Sequence, residues 1–132
     1  MNRLFLDTSL IIALLKGSNL NDLDRLLSAV REGRTCCNGI VLTELYSGVT
    51  GKKVEQGVMR ITSALTYLSL KQKDFIDAGR LRSNLFTKGL TMSTPDALIA
   101  AQVLNNDLRL ITLDKFFLKL PVEIGLKIDI PI

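Results

Sequence analysis

Apolar positions change period several times along this chain, and each change marks out an element. Arg3 to Leu6 predicts a short buried strand, because the run is apolar and too brief for a helix. From Thr8 the apolar residues Leu10, Ile11, Leu14 and Leu15 recur at helical spacing up to Gly17. A second helix fits Asn21 to Glu32, with Leu23, Leu26, Leu27 and Val30 on one side, Asn21 or Asp22 as cap and Gly33 as stop. Thr35 to Asn38 suits a second buried strand. Asn38-Gly39 is a hairpin signal, yet Ile40, Val41, Leu42, Leu45 and Tyr46 lack strict alternation, so a helix up to Gly48 is expected. On it Glu44 lies one turn beyond Ile40 and Val41, on the core-facing side.

The second half repeats the alternation. A helix from about Lys53 to Thr66 carries Val54, Val58, Ile61 and Leu65, and Tyr67 to Leu70 is a third strand. Asp74 to Lys88 is helical, with Phe75, Ala78, Leu81, Leu85 and Phe86 inward and Gly89 as stop. Ser93-Thr94-Pro95-Asp96 opens the helix Ala97 to Leu104, with Ser93 and Asp96 at capping-box spacing. Asn105 to Asp107 is a turn, Arg109 to Thr112 a fourth strand, Asp114 to Leu120 a short helix, and Glu123 to Ile130 a final edge strand. Tyr46, Phe116 and Phe117 are read as core rather than as base-stacking platforms. The predicted fold is α/β, a three-layer sandwich whose mostly parallel sheet of about five strands is flanked by helices. Such sheets bind ligands outside the carboxyl ends of their strands, where strand order reverses, and Asp7 and Asp114 stand just past such ends.

Composition narrows the chemistry. The 132 residues, 47% hydrophobic and 23% charged with 3 prolines, fit one domain spanning 1–132 with no repeat, linker or low-complexity segment. No signal-peptide pattern or membrane-length apolar run is seen, so a cytoplasmic protein is expected. Net charge is +4, from 17 Lys and Arg against 13 Asp and Glu, which permits a polyanionic partner without requiring one. Cys36 and Cys37 are adjacent, a poor arrangement for a structural disulfide, and read as core. There is no histidine, which removes Ser-His-Asp and Cys-His nucleophiles and histidine-bearing zinc sites. No phosphate-cradling glycine motif occurs among the 9 glycines.

Most acids lie on polar helix faces or in turns, including Asp22, Asp74, Asp77 and Asp107, and Asp129 reads as an edge-strand residue. Four stand in apolar surroundings: Asp7 in FLDTSLII, Glu44 in IVLTELY, Asp96 in TPDALIAA and Asp114 in LITLDKFF. Singly, Asp7 and Asp114 are explained as helix N-caps, Asp96 as the acid of a capping box, and Glu44 as half of a buried ion pair. Together, four carboxylates at one sheet edge would repel by roughly 3 kcal/mol per pair at ~5 Å and an effective dielectric of ~20. That rivals the ~5–15 kcal/mol stability of a domain, so the cluster must take up protons, a basic side chain or cations. An all-oxygen donor set selects Mg2+ or Mn2+, the apparatus of metal-assisted phosphodiester hydrolysis.

The order Leu6-Asp7-Thr8-Ser9, Thr43-Glu44-Leu45 followed by Gly48, Lys88-Gly89 with Asp96-Ala97-Leu98-Ile99-Ala100-Ala101, and Thr112-Leu113-Asp114 followed by Phe116 resembles a PIN domain. Within that family it resembles the VapC toxins of toxin-antitoxin pairs, over essentially the whole chain. The resemblance implies a parallel sheet between helices, Mg2+- or Mn2+-dependent endoribonuclease activity, a homodimer, and inhibition by a small VapB-type antitoxin. It implies Asp7 and Asp96 as principal metal ligands, with Glu44 and Asp114 completing the set. The family often has Asn where this chain has Ser9, which keeps a hydrogen-bonding group but alters the contact. Thr8 and Thr112 are candidates for orienting ligands or water, or for packing. Arg80, Arg82 and Lys88 are candidates for contact with RNA phosphates, with an acidic antitoxin tail, or with solvent alone. Two other readings stay open: a non-catalytic interaction module whose acids are caps and ion pairs, and a phosphoacceptor domain using Asp7. The second lacks the acid pair that receiver domains carry.

Overall fold

The computed structural model describes residues 3–132. Five short strands form one sheet: β1 (Leu4–Leu6), β2 (Thr35–Cys37), β3 (Thr66–Tyr67), β4 (Arg109–Ile111) and β5 (Ile128–Asp129). Six helices connect them: α1 (Thr8–Leu15), α2 (Leu23–Arg31), α3 (Gly39–Ser47), α4 (Lys52–Ser63), α5 (Gln72–Thr87) and α6 (Thr94–Asn105). Two 3-10 turns, Lys115–Lys119 and Val122–Ile124, precede β5. Every pairing is parallel, in the order β3-β2-β1-β4-β5. Successive strand residues point to opposite faces, and Phe5 with Leu6, Cys36 with Cys37 and Leu110 with Ile111 are all buried, so helices cover both faces of the sheet. That is the predicted three-layer architecture. Among the described residues no helix is long and apolar enough to cross a membrane.

Topology positions the chemistry. From β1 the chain steps to β2 and then β3 on one side, and after α5 and α6 it returns to β4 on the other side of β1. The strand order therefore reverses between β1 and β4, and the residues leaving their carboxyl ends, Asp7 and Thr112, face each other across that crevice.

Several expectations are corrected. Helix α4 ends at Ser63, not Thr66, because Ala64 and Leu65 turn back to the carbonyls of Ile61 and Thr62 and free Thr66 to pair with Cys36. The last strand is reduced to Ile128–Asp129, since Val122–Ile124 coils and Gly125 at φ 80 redirects the chain. On α5 the inner row is Asp74, Ala78, Leu81 and Leu85, spaced by four, three and four. Phe75 and Phe86, one position off that row, are 53% and 73% exposed. The same offset from Leu45 leaves Tyr46 42% exposed. Asp74, expected on a polar face, is buried because its carboxylate accepts the Lys71 amide at 2.9 Å and the Asn105 side-chain amide at 2.9 Å. Asp22 adopts φ 58 and makes no side-chain cap, and Glu44 is exposed rather than core-facing.

Candidate functional site

Asp7 ends β1 and opens α1 with an extended backbone, so its side chain turns back over the first helical turn. One carboxylate oxygen accepts the Thr8 amide at 2.8 Å and the other accepts the Thr112 hydroxyl at 2.7 Å. The group is 7% exposed. Burial pushes its pKa up, the two hydrogen bonds oppose that rise, and repulsion from Glu44 and Asp114 adds to it.

Thr112 belongs to both strand exits at once. Its hydroxyl donates to Asp7 and accepts the Asp114 amide at 3.0 Å, fixing the turn that carries the fourth acid. Ser9 completes this lacing: its Oγ accepts the Leu113 amide at 3.0 Å and lies 3.3 Å from Thr112 Oγ1. Since the Thr112 proton is committed to Asp7, that contact runs from Ser9 to Thr112. Asp114 is exposed and caps the following 3-10 turn through the Phe116 amide at 3.0 Å. Thr112→Val keeps shape and burial but removes a bond to a buried carboxylate and strands the Asp114 amide. It is expected to cost about 1–3 kcal/mol, read as a lower urea midpoint at unchanged slope. Unaltered stability would refute this role for Thr112.

The remaining acids arrive from helices. Glu44 on α3 reaches across to α1, where Thr8 Oγ1 donates to its Oε1 at 2.7 Å. Asp96 sits in the first turn of α6, whose cap is Ser93: the Ser93 Oγ accepts the Asp96 amide at 3.2 Å, one arm of the anticipated capping box. Partial burial raises the Asp96 pKa, a hydrogen bond to Ser93 opposes it, and repulsion from Asp7, Asp114 and Glu44 raises it further. The four acids thus share one electrostatic neighbourhood. Among the described residues none of the four is in a salt bridge.

As placed, the side chains do not form a closed cage; among the described residues no three acidic, Cys or His groups are gathered tightly enough to hold one ion. Each carboxylate is instead turned onto a local donor. The donor set itself, all oxygen and short of compensating positive charge, fits a hard divalent cation and suits neither zinc nor copper.

Two of the three expected cations are engaged elsewhere. Arg82 Nε donates to the Met92 carbonyl at 2.8 Å, Lys88 lies 3.6 Å from Glu123, and Arg80 is exposed on α5 with Asp77 nearby. Lys16, which has no part in the sequence expectations, and Lys53 of the Lys52-Lys53 pair line with Glu44, Ile12, Leu15 and Val54 a groove of about 500 Å³. The available signal was that Lys16 ends the helix that Asp7 begins. A larger cleft of about 610 Å³, lined by α2, β1, β4 and the chain at and after β5, contains none of the four acids. Its Arg34 and Arg109 are paired with Glu32 and Asp129, so the smaller groove is the one adjoining the chemistry. The two thiols are buried in β2, and burial pushes both pKa values up, that of Cys37 to about 11, which leaves them unreactive.

The PIN domain family model matches residues 4–123. No curated protein matches the chain. Among solved structures, a chain of DNA-bound VapBC from Salmonella typhimurium is 25% identical, with a TM-score of 0.79 and 98% of each chain covered. A chain of VapBC2 from Rickettsia felis, bound to a promoter DNA fragment, is 26% identical, with a TM-score of 0.78 and 96% of each chain covered. A chain of VapBC-5 from Mycobacterium tuberculosis, 20% identical with a TM-score of 0.69, is similar in fold over 97% of this chain and 98% of its own.

Proposed function

This chain belongs to the PIN domain family, and from that premise we propose that it is a Mg2+- or Mn2+-dependent endoribonuclease acting on cytoplasmic RNA, the toxin of a pair neutralised by a VapB-type antitoxin. The observation that carries this reading is that Asp7, Glu44, Asp96 and Asp114 repel one another near the sheet's switch point with, among the described residues, no basic side chain paired to them. Asp7 and Asp96 are the principal ligands, because burial gives them the most to gain from a cation, and the exposed Glu44 and Asp114 close the set from either side. A divalent ion held there supplies positive charge to the scissile phosphate and lowers the pKa of water near it. Thr112 keeps Asp7 oriented by holding one of its oxygens, while Ser9 and the Leu113 amide keep the Asp114 turn in register with α1. Thr8 does the same for Glu44.

The antitoxin is supported by the near-complete overlap with chains of VapBC complexes. Exposed Phe86, Leu118 and Val122 supply apolar surface for the homodimer that the resemblance implies. The competing reading, a non-catalytic module, draws on the caps that Asp7 and Asp114 make. Incubating the purified protein with total RNA, with Mn2+ and with EDTA, and mapping the ends separates the two. Discrete cleavage that EDTA removes is expected; intact RNA under both conditions rejects the enzyme.

Arg80 is proposed as an RNA contact, since it is exposed on α5 and its charge faces the partly accessible Asp77 rather than a buried partner. Arg80→Ala is expected to reduce the slope of log K against log salt by about 0.7, one phosphate's share on a single strand. An unchanged slope would remove Arg80 from the interface.

A further inference from the structure

The two helices that bring Glu44 and Asp96 to the site come from different parts of the chain, α3 after β2 and α6 before β4. One buried polar connection joins their supports. Asn38, the residue between β2 and α3, is fully buried and caps α3 by accepting the Val41 amide at 3.1 Å. Its side-chain amide donates to Gln102 Oε1 at 2.9 Å. Gln102 projects from α6, 1% exposed, and its own amide donates to the carbonyls of Leu68 and Ser69, both at 3.2 Å, where the chain leaves β3. Every polar atom of the two side chains is thereby used. The pair pins α6 to the carboxyl ends of β2 and β3 together.

Apolar packing alone does not set this registry sharply. Helix α6 is lined by Ala97, Ile99, Ala100, Ala101 and Val103, whose apolar contacts carry no direction of their own. A buried amide pair with fixed donors and acceptors has one satisfied arrangement, and displacement leaves polar groups unpaired at about 1–3 kcal/mol each. Glu44 lies six residues after Asn38, and Asp96 six residues before Gln102. A slip at the amide pair therefore becomes a change in the separation of two carboxylates.

We infer that Asn38 and Gln102 are positioning residues for the metal centre, setting the distance between Glu44 on α3 and Asp96 on α6 through a buried amide-amide bond. The inference rests on the proposed metal-dependent function and deepens it. Asn38→Ser retains a good helix cap and removes the amide, and Gln102→Met retains volume and removes both ends of the link.

The test is a Mn2+ titration of purified protein followed by calorimetry, on the parent, Asn38→Ser, Gln102→Met, Glu44→Gln and the double variant Asn38→Ser/Glu44→Gln. Asn38→Ser and Gln102→Met are each expected to weaken Mn2+ binding about tenfold, in the range for residues that orient ligands. In the Glu44→Gln background, Asn38→Ser is expected to add no further loss, because the carboxylate it positions is gone. General loosening of the fold would weaken both backgrounds equally, and that result overturns the inference, as does unchanged affinity in the folded single variants. If Asn38→Ser fails to fold, Gln102→Met alone and combined with Glu44→Gln makes the same comparison. A parent that binds no Mn2+ defeats the metal-dependent function itself, an outcome distinct from failure of the amide pair.

Discussion

Asp96→Asn is expected to abolish Mn2+-dependent RNA cleavage and, in EDTA, to leave a protein that melts higher than the parent. The two effects have one cause. Asp96 carries a charge that its half-buried position and three acidic neighbours disfavour, which is why its pKa is raised. Asparagine keeps the shape and leaves untouched the cap that Ser93 makes to the residue 96 amide, since that bond uses backbone N–H. What disappears is the negative charge, and with it both the repulsion and the attraction for a cation, while the hydrogen bond between Ser93 and the residue 96 side chain is weakened. Losing a direct ligand should exceed the roughly 10- to 100-fold cost of losing an outer partner, so activity should fall by at least about 100-fold. The rise in Tm without metal should be roughly 2–4 °C. Asp7→Asn is expected to act in the same direction on activity. Its stability gain should be smaller, because the Thr8 amide and Thr112 hydroxyl now favour the carboxylate. Retention of cleavage in either variant would remove that acid from the site. A lower melting temperature of Asp96→Asn in EDTA would show that its charge is stabilising and that the repulsive cluster is not the right description.

The acids were legible in the sequence for a simple reason. A carboxylate between apolar runs is conspicuous, and strand runs too short for helices placed Asp7 and Asp114 at strand exits. The alternation of periods likewise carried the parallel sheet, because helices between every pair of short buried strands leave little choice but crossovers. What stayed hidden depended on the rotation of each element. Phe75 and Phe86 sit one residue from the buried row of α5, an error of about 100° that apolar character cannot resolve. The same kind of argument predicts Glu44 inward, yet it is exposed and reaches the site sideways through Thr8. Locally Asn38 reads only as part of a hairpin signal and Gln102 carries no signal, since a buried amide pair separated by 64 residues has no local signature. Long-range polar matching is a property of the packed state, and single-residue patterns do not encode it.

Binding of Mn2+ should raise the melting temperature strongly near neutral pH and progressively less as the solution is acidified. A ligand at a hundred times its dissociation constant stabilises the fold by about 2.7 kcal/mol, on the order of 10 °C for a domain of this size. Without metal, Asp7 and Asp96 have folded pKa values above 3.8, so ionisation costs stability, and that cost is relieved as pH falls from neutral through their folded values. Asp77 runs the other way. The Lys73 ammonium and Asn105 amide hold its pKa below 3.8, so the stability it confers is present above 3.8 and lost only as pH falls below it. The windows are separate: above 3.8 the site acids favour mild acidification of the metal-free protein, and below it the α5–α6 contact begins to fail. Mn2+ and protons compete for the same carboxylates, so the Mn2+-induced rise in Tm should shrink toward zero across the upper window while the Asp77 contact is still intact. Melting curves with Mn2+ and with EDTA at several pH values between neutrality and the carboxylate range measure this directly. A Mn2+ effect that does not change with pH would mean that the ion is held by groups other than Asp7 and Asp96. No Mn2+ effect at neutral pH would favour the non-catalytic module, with Asp7 and Asp114 acting as helix caps alone.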